Sequence, residues 1–231
     1  MKRSKKILMN ILKAILVIFL PIAILLTVVQ YYAFNKDFYL KEYSKYEVSE
    51  STGISNEDLG EITNRLLDYL KQNEEDLNIR VLINGSMEEV FGEREKLHMV
   101  DVKELFIKGY ILKNTSIIMS IVSILGIIIF SNNKRKDIFQ VIYWASGIPL
   151  ILMLTLFILI KTDFYKYFTY FHKIFFTNDL WLLNPKTDIL IQLVPLGFFT
   201  DISIKILILF SLILIFLIII SIYFSKSLRH N

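Results

Sequence analysis

Cysteine is absent from the 231 residues, so disulfides and thiolate metal sites are excluded and any outward-facing part must be held by packing alone. The short signatures of several common chemistries are missing too. There is no Gly-rich phosphate loop, which argues against nucleotide hydrolysis, and no Gly-x-Ser-x-Gly elbow, which argues against a standard serine hydrolase. The His-Glu-x-x-His spacing of zinc peptidases does not occur either. Histidine is scarce, and the three present are His98, His172 and His230. No internal repeat is evident.

What the chain has in quantity is apolar side chains. At 54% hydrophobic and a mean hydropathy of +0.51 it is too apolar for a soluble domain of this length, and it reads as an integral membrane protein. Its formal net charge of +4 is clustered beside the apolar runs, which points to a lipid bilayer and not to nucleic acid as its partner.

Lys2, Arg3, Lys5 and Lys6 precede an apolar run from Ile7 to Ala33 that is long enough to cross a bilayer. Pro21 is expected to kink it. The run exceeds a typical signal core and no small-x-small cleavage site follows, so an uncleaved anchor with a cytoplasmic N-terminus is expected. Residues 34–113 are polar, with 11 Lys and Arg against 17 Asp and Glu, a net −6 that fits an outward-facing domain. Within them, Ser55 to Asp58 resembles a capping box, and Leu59, Ile62, Leu66, Leu67 and Leu70 recur at helical spacing. Asn84-Gly85, between Arg80–Ile83 and Ser86–Val90, is a hairpin signal because both turn residues need positive φ.

A helix from Glu93 to Phe106 is predicted to lead into a second span, Thr115 to Phe130. The loop Ser131 to Asp137 holds Lys134, Arg135 and Lys136 and is expected in the cytoplasm; Ile138 to Ile160, with Pro149, forms a third span. Residues 161–201 make a second outward, interfacial segment, and Ile202 to Phe224 a fourth span followed by Lys226 and Arg229. The predicted fold is therefore an α-helical membrane protein with four transmembrane helices, both termini cytoplasmic, and a small α+β extracytoplasmic domain of helix plus β-hairpin between spans 1 and 2. The domain divisions are 1–33, 34–113 and 114–231.

This topology sets His98 and His172 on the same outer side, while His230 belongs to the C-terminal tail, where solvent exposure is expected. His172 stands in an aromatic stretch from Tyr167 to Trp181, with Phe164, Phe168, Phe171 and Phe175 at helical spacing. An imidazole titrates near neutrality and can move protons on a lipid substrate at a water–lipid boundary. With Asp101 near His98, and Asn178, Asp179 and Trp181 after His172, a proton-transfer site with oxyanion or orienting support can be drawn. The bland alternatives stand beside it. His172 also reads as a packed, satisfied histidine, and His98 as a solvated helix residue bonding Asp101. Asp179 and Asp188 read as turn caps, and Trp181 as an interfacial anchor. Zinc held by the two histidines and a carboxylate is conceivable, though without a supporting spacing.

The segment His98 to Lys103 and the segment Phe171 to Trp181, followed by Asn184-Pro185, Asp188, Pro195 and Phe198-Phe199, resemble the lipoprotein intramolecular transacylase family of bacterial membrane proteins. One departure is Leu196-Gly197 after Pro195, where the resemblance leads to an expected acidic residue. The resemblance implies that a diacylglyceryl-modified lipoprotein, in the bacterial cell membrane, has its sn-2 acyl chain moved to the α-amine of its N-terminal cysteine. It implies His98 and His172 as the functional pair, with no cofactor and no metal. His172 is expected to be base and proton shuttle, and His98 to orient or polarise the ester while held by Asp101. A lipid or lipopeptide acyl hydrolase using the same histidines, and a non-enzymatic membrane module that binds a partner through its acidic domain, are the competing readings.

Overall fold

The computed structural model describes residues 2–227, so the expectations for Arg229 and His230 lie outside the described residues. In order, the elements are α1 (Lys2–Ala33), α2 (Lys36–Lys45), α3 (Val48–Thr52), α4 (Asn56–Leu70), β1 (Arg80–Ile83), β2 (Ser86–Glu89), α5 (Glu93–Phe130), α6 (Lys134–Phe175), α7 (Ile189–Leu193) and α8 (Leu196–Ser227). Four of these helices, α1, α5, α6 and α8, are long and apolar enough to cross a membrane. The chain forms two compact units, one of Met1–Gln30, Gly109–Lys161 and Ile204–Asn231, the other of Tyr31–Lys108 and Thr162–Ser203.

The first unit contains the apolar lengths of the four long helices. Leu12 and Leu16 of α1 are buried against Ile127 of α5 and Val141 of α6, and a second cluster joins Met153 to Leu207, Phe210 and Leu214. Gly126 lets α1 and α5 approach closely, since a Cβ there would lie 2.8 Å from a Leu12 methyl. Ser116, Ser120 and Ser123, buried at i, i+4 and i+7, continue that small-residue face of α5. Lys13 pairs with Asp137 at 2.7 Å and Lys5 donates to Asn132 at 3.0 Å, so the start of α1 and the loop before α6 lie at the same end of this unit. Pro21 sits inside a single helix, as does Pro149. The break in α6 falls instead at Asp163, whose backbone is extended (φ −159°, ψ 84°) and whose carboxylate caps the Lys166 N–H at 3.0 Å. The helix carrying the aromatic stripe thus begins there, as its periodicity predicts.

The second unit is built around α4. Ser55 Oγ accepts the Asp58 N–H at 3.1 Å, as an N-cap should, but the Asp58 carboxylate takes the Ser55 hydroxyl hydrogen at 2.7 Å and does not reach back to a backbone N–H. Leu59, Ile62, Leu66, Leu67 and Leu70 are all buried, together with Val81, Ile83, Val90 and Phe91 from the hairpin region. Ile62 is fully buried, and Ile62→Ala would cost about 2–5 kcal/mol. The strands pair antiparallel with Ile83 opposite Ser86, and the turn has Asn84 and Gly85 at φ 50° and 86°. Gly53, at φ 70°, lies so close under Asn84 that no side chain fits. Its carbonyl accepts the Asn84 N–H, which fastens the turn to the end of α3.

Two short helices, α2 and α3, are not legible in the sequence. Asn35 caps α2 by accepting the Phe38 N–H at 3.1 Å, and Phe38, Tyr39 and Tyr43 are buried. The departure at Gly197 has its physical reason here. The Tyr46 ring, at the end of α2, lies where a Cβ on Gly197 would stand, and its hydroxyl donates to Asp201 at 2.7 Å. Lys45 pairs with the same carboxylate, so α2 and the first turns of α8 are locked together.

Candidate active site

The site is assembled within the second unit, from the first turns of α5, the last turns of α6 and the loop that follows. Residues 93–108 carry eight charged side chains, and the end of α6 carries Asp163, Lys166 and Lys173, so these helix parts lie outside the membrane-spanning segments. Gly92 precedes α5 and accepts the Lys96 N–H at 3.0 Å. Glu95, three residues on, folds back to accept the Gly92 N–H at 2.7 Å, which is one half of a capping box. Its other oxygen accepts the Leu190 N–H of α7 at 2.6 Å. The carboxyl is only 4% exposed, and burial pushes its pKa up while the two backbone donors pull it back.

One turn further along α5 is His98, and one turn beyond that Asp101. His98 is buried, not solvated as its bland reading required, and its Nδ1 has no hydrogen-bond partner among the described residues. Burial lowers its pKa to about 4, the nearby His172 adds to the shift, and Asp101 opposes it. Asp101 does not hold His98 by a hydrogen bond, contrary to expectation. Its carboxylate instead accepts the Asn178 amide at 2.8 Å, across 77 residues of sequence.

His172 is also buried, and its Nδ1 lies 2.7 Å from the Phe168 carbonyl one turn earlier. A carbonyl only accepts, so Nδ1 carries the hydrogen and Nε2 presents the lone pair. Burial lowers this pKa too, against the carbonyl's opposing pull. Phe168 meets the imidazole edge-on at 4.4 Å, and Phe199 of α8 packs on Phe168 at 4.7 Å. Phe176 touches both histidines, at 5.4 Å from His98 and 5.5 Å from His172. The ring centroids of His98 and His172 are 6.2 Å apart. Two imidazoles favouring the neutral form therefore stand side by side, near enough for one small group to reach both.

The loop residues act on this pair indirectly. Trp181 stacks on His172 at 4.8 Å and 29°, and its indole N–H donates to the Asn178 carbonyl at 3.0 Å. Asn178 also accepts the Leu180 N–H, at 3.1 Å. The side-chain donors of Asn178 and Trp181 are thus engaged within the protein, where they orient the aromatic wall beside His172. Asp179 is exposed; its carbonyl accepts from Arg94 at 2.5 Å and its carboxylate lies 3.6 Å from the same guanidinium. Asp188 ties a turn, accepting the Asn184 N–H at 2.8 Å. Among the described residues, no group of three or more His, Cys, Asp or Glu side chains is placed to hold a metal ion. Sequence patterns do not single out Glu95 as part of the site, and although Phe168, Phe176 and Phe199 stand in the aromatic stretch or the family-like segments, no pattern shows which ring each one touches. For Glu95 a signal exists, the glycine three residues before it at a helix start.

The whole chain superposes on the membrane integral lipoprotein intramolecular transacylase Lit from Bacillus cereus, with a TM-score of 0.80 at 18% identity and 100% of both chains covered. Structures of that protein with one histidine replaced by arginine or by alanine give TM-scores of 0.76 and 0.77, also at 18% identity, over 99% of this chain and 96% and 99% of theirs. At this identity the likeness is one of fold, and it agrees with a multi-pass membrane protein. No curated protein sequence matches. The sequence profile described as lipoprotein intramolecular transacylase Lit matches residues 14–199. That range takes in both histidines and every side chain of the site just described, and the chain belongs to the lipoprotein intramolecular transacylase family of acyltransferases.

Proposed function

We propose that this protein moves the sn-2 acyl chain of a diacylglyceryl-modified N-terminal cysteine in a bacterial lipoprotein onto that cysteine's own α-amine. The product is the N-acyl, S-monoacylglyceryl lyso form. The observation that carries this reading is the pairing of His98 with His172 at 6.2 Å, one of them with its reactive nitrogen fixed. The negative balance of residues 34–113 supports an extracytoplasmic site, and the paired ends of α1 and the loop before α6 support a common, cytoplasmic side for Lys5 and Lys13.

His172 Nε2 takes the proton that the α-amine loses as it attacks the ester carbonyl. The N–C bond forms, the tetrahedral intermediate collapses, and the C–O bond to the glyceryl sn-2 oxygen breaks. His172 returns its proton to that oxygen, so neither water nor a cofactor is consumed. An α-amine has a reference pKa of about 7.7–8.0, within reach of a neutral imidazole at physiological pH. His98, beside that imidazole, orients or polarises the ester whose oxygen gains charge. Amine and ester belong to one molecule, so holding the substrate folded contributes about 7–11 kcal/mol of the barrier reduction.

Purified protein given a synthetic diacylglyceryl lipopeptide should yield a product of unchanged mass whose fragments carry an N-acyl cysteine. His172→Ala should abolish this while leaving the protein folded. Full conversion by His172→Ala would sink the assignment, and release of free fatty acid would favour a hydrolase.

A further inference from the structure

Beside His172 an open cleft of about 520 Å³ is lined by Lys173, Phe176, Thr177, Asn178, Asp179 and Trp181. Its charges are unequally matched. The Asp179 carboxylate is paired with Arg94, and both ends of the Asn178 amide are bonded within the protein. Lys173 is exposed and has no ion-pair or hydrogen-bond partner among the described residues. Lys173 is thus the one charged lining residue without a partner among the described residues, and Thr177 and Trp181 are further walls.

The reacting amine must reach His172 Nε2, and the cysteine bearing it continues into peptide. Each residue advances the chain by at most about 3.3–3.6 Å, so the second and third substrate residues fall within about 7–11 Å of the imidazole. Trp181, which stacks on His172, is also a wall of the cleft, so the cleft begins within that reach. Apart from Lys173, the exposed residues of the last turns of α6 are Tyr170, Phe171, Ile174 and Phe175, all aromatic or aliphatic. A polar peptide chain is better accommodated by the cleft than by those side chains. Resting on the transacylation reading, we infer that this cleft is the subsite for the residue following the lipidated cysteine, and that Lys173 makes it favour an acidic side chain there over a basic one.

Three diacylglyceryl lipopeptides that differ only at the second residue, Ser, Glu or Lys, test this with the full-length protein in detergent. Conversion of the Ser peptide by the wild type checks the transacylation reading by itself. Given that conversion, kcat/KM should be about two- to fivefold higher for Glu than for Lys, the size of an exposed ion pair, and the preference should shrink in high salt. Lys173→Ala should level the two peptides and Lys173→Glu should invert them. An unchanged Glu-to-Lys ratio in both variants, or a salt-independent ratio in the wild type, overturns the inference. A uniform slowing of all three peptides by Lys173→Glu that grows with added phosphatidylglycerol also overturns it, and assigns the cleft to an anionic lipid headgroup.

Discussion

The indole of Trp181 lies across one face of the His172 imidazole, 4.8 Å between centroids, while its N–H is anchored on the Asn178 carbonyl. The ring proposed to carry the reactive nitrogen is thus held by a carbonyl at Nδ1, by an aromatic face and by an aromatic edge.

Aromatic contacts of this kind contribute about 0.5–1.5 kcal/mol, so Trp181→Ala should lower the rate of acyl migration by about two- to twelvefold. Trp181→Phe, which keeps a stacking face and loses the N–H, should fall between Trp181→Ala and wild type. Single-turnover conversion of a lipopeptide measures both; equal rates in all three proteins would show that the stack positions nothing.

The bridge from Asn178 to Asp101 needs an acceptor at position 101 and not a charge. Asp101→Asn should accordingly stay within about threefold of wild type, whereas Asp101→Leu, which leaves the loop unfastened, should lose about 10- to 150-fold, the range for one hydrogen bond to a charged group. Steady-state kinetics on the two variants separate these outcomes.

Glu95 satisfies the backbone N–H groups of Gly92 and Leu190 from a buried position. Glu95→Ala strands both donors, at about 1–3 kcal/mol each. A fall in the thermal midpoint in detergent is expected, together with faster proteolysis near α7. Glu95→Gln keeps one acceptor and should lose less.

His98 has its pKa lowered to about 4 from an ordinary 6.5, so the folded protein binds the proton more weakly than the unfolded chain. Its stabilising contribution is then fully present above pH 6.5 and is lost as the pH falls from 6.5 toward 4, on the order of 3 kcal/mol in all. The melting temperature should decline across that window, and His98→Phe should flatten the decline. Because both imidazoles are depressed, the rising limb of the rate above pH 7 should report the substrate amine, near its reference value of about 7.7–8.0, and should survive in Trp181→Ala unmoved.

Much of the fold is legible in the amino-acid sequence. The Asn84-Gly85 turn has one easy solution because glycine, and asparagine nearly as well, accept positive φ; the α4 stripe has one because leucines at helical spacing must share a buried face. The four apolar lengths follow from bilayer thickness alone. The helices α2 and α3 are not legible, since their faces gain meaning only against Phe198 and α7. Residue types at the site are legible as well, and the family resemblance links His98 with His172.

Local sequence by itself determined the apolar lengths, the hairpin, the Ser55 cap and the list of titratable groups, because those depend on neighbours within a few residues and on a bilayer of known thickness. Tertiary structure decided what each group does. It buried His98 and left its Nδ1 unpartnered among the described residues, gave Asp101 to Asn178, and set Trp181 on His172. It also found a use for Gly197 in the Tyr46 ring that no local pattern contains. Desolvation and hydrogen-bond choice depend on groups brought together across many residues, and the chain must fold before either is settled.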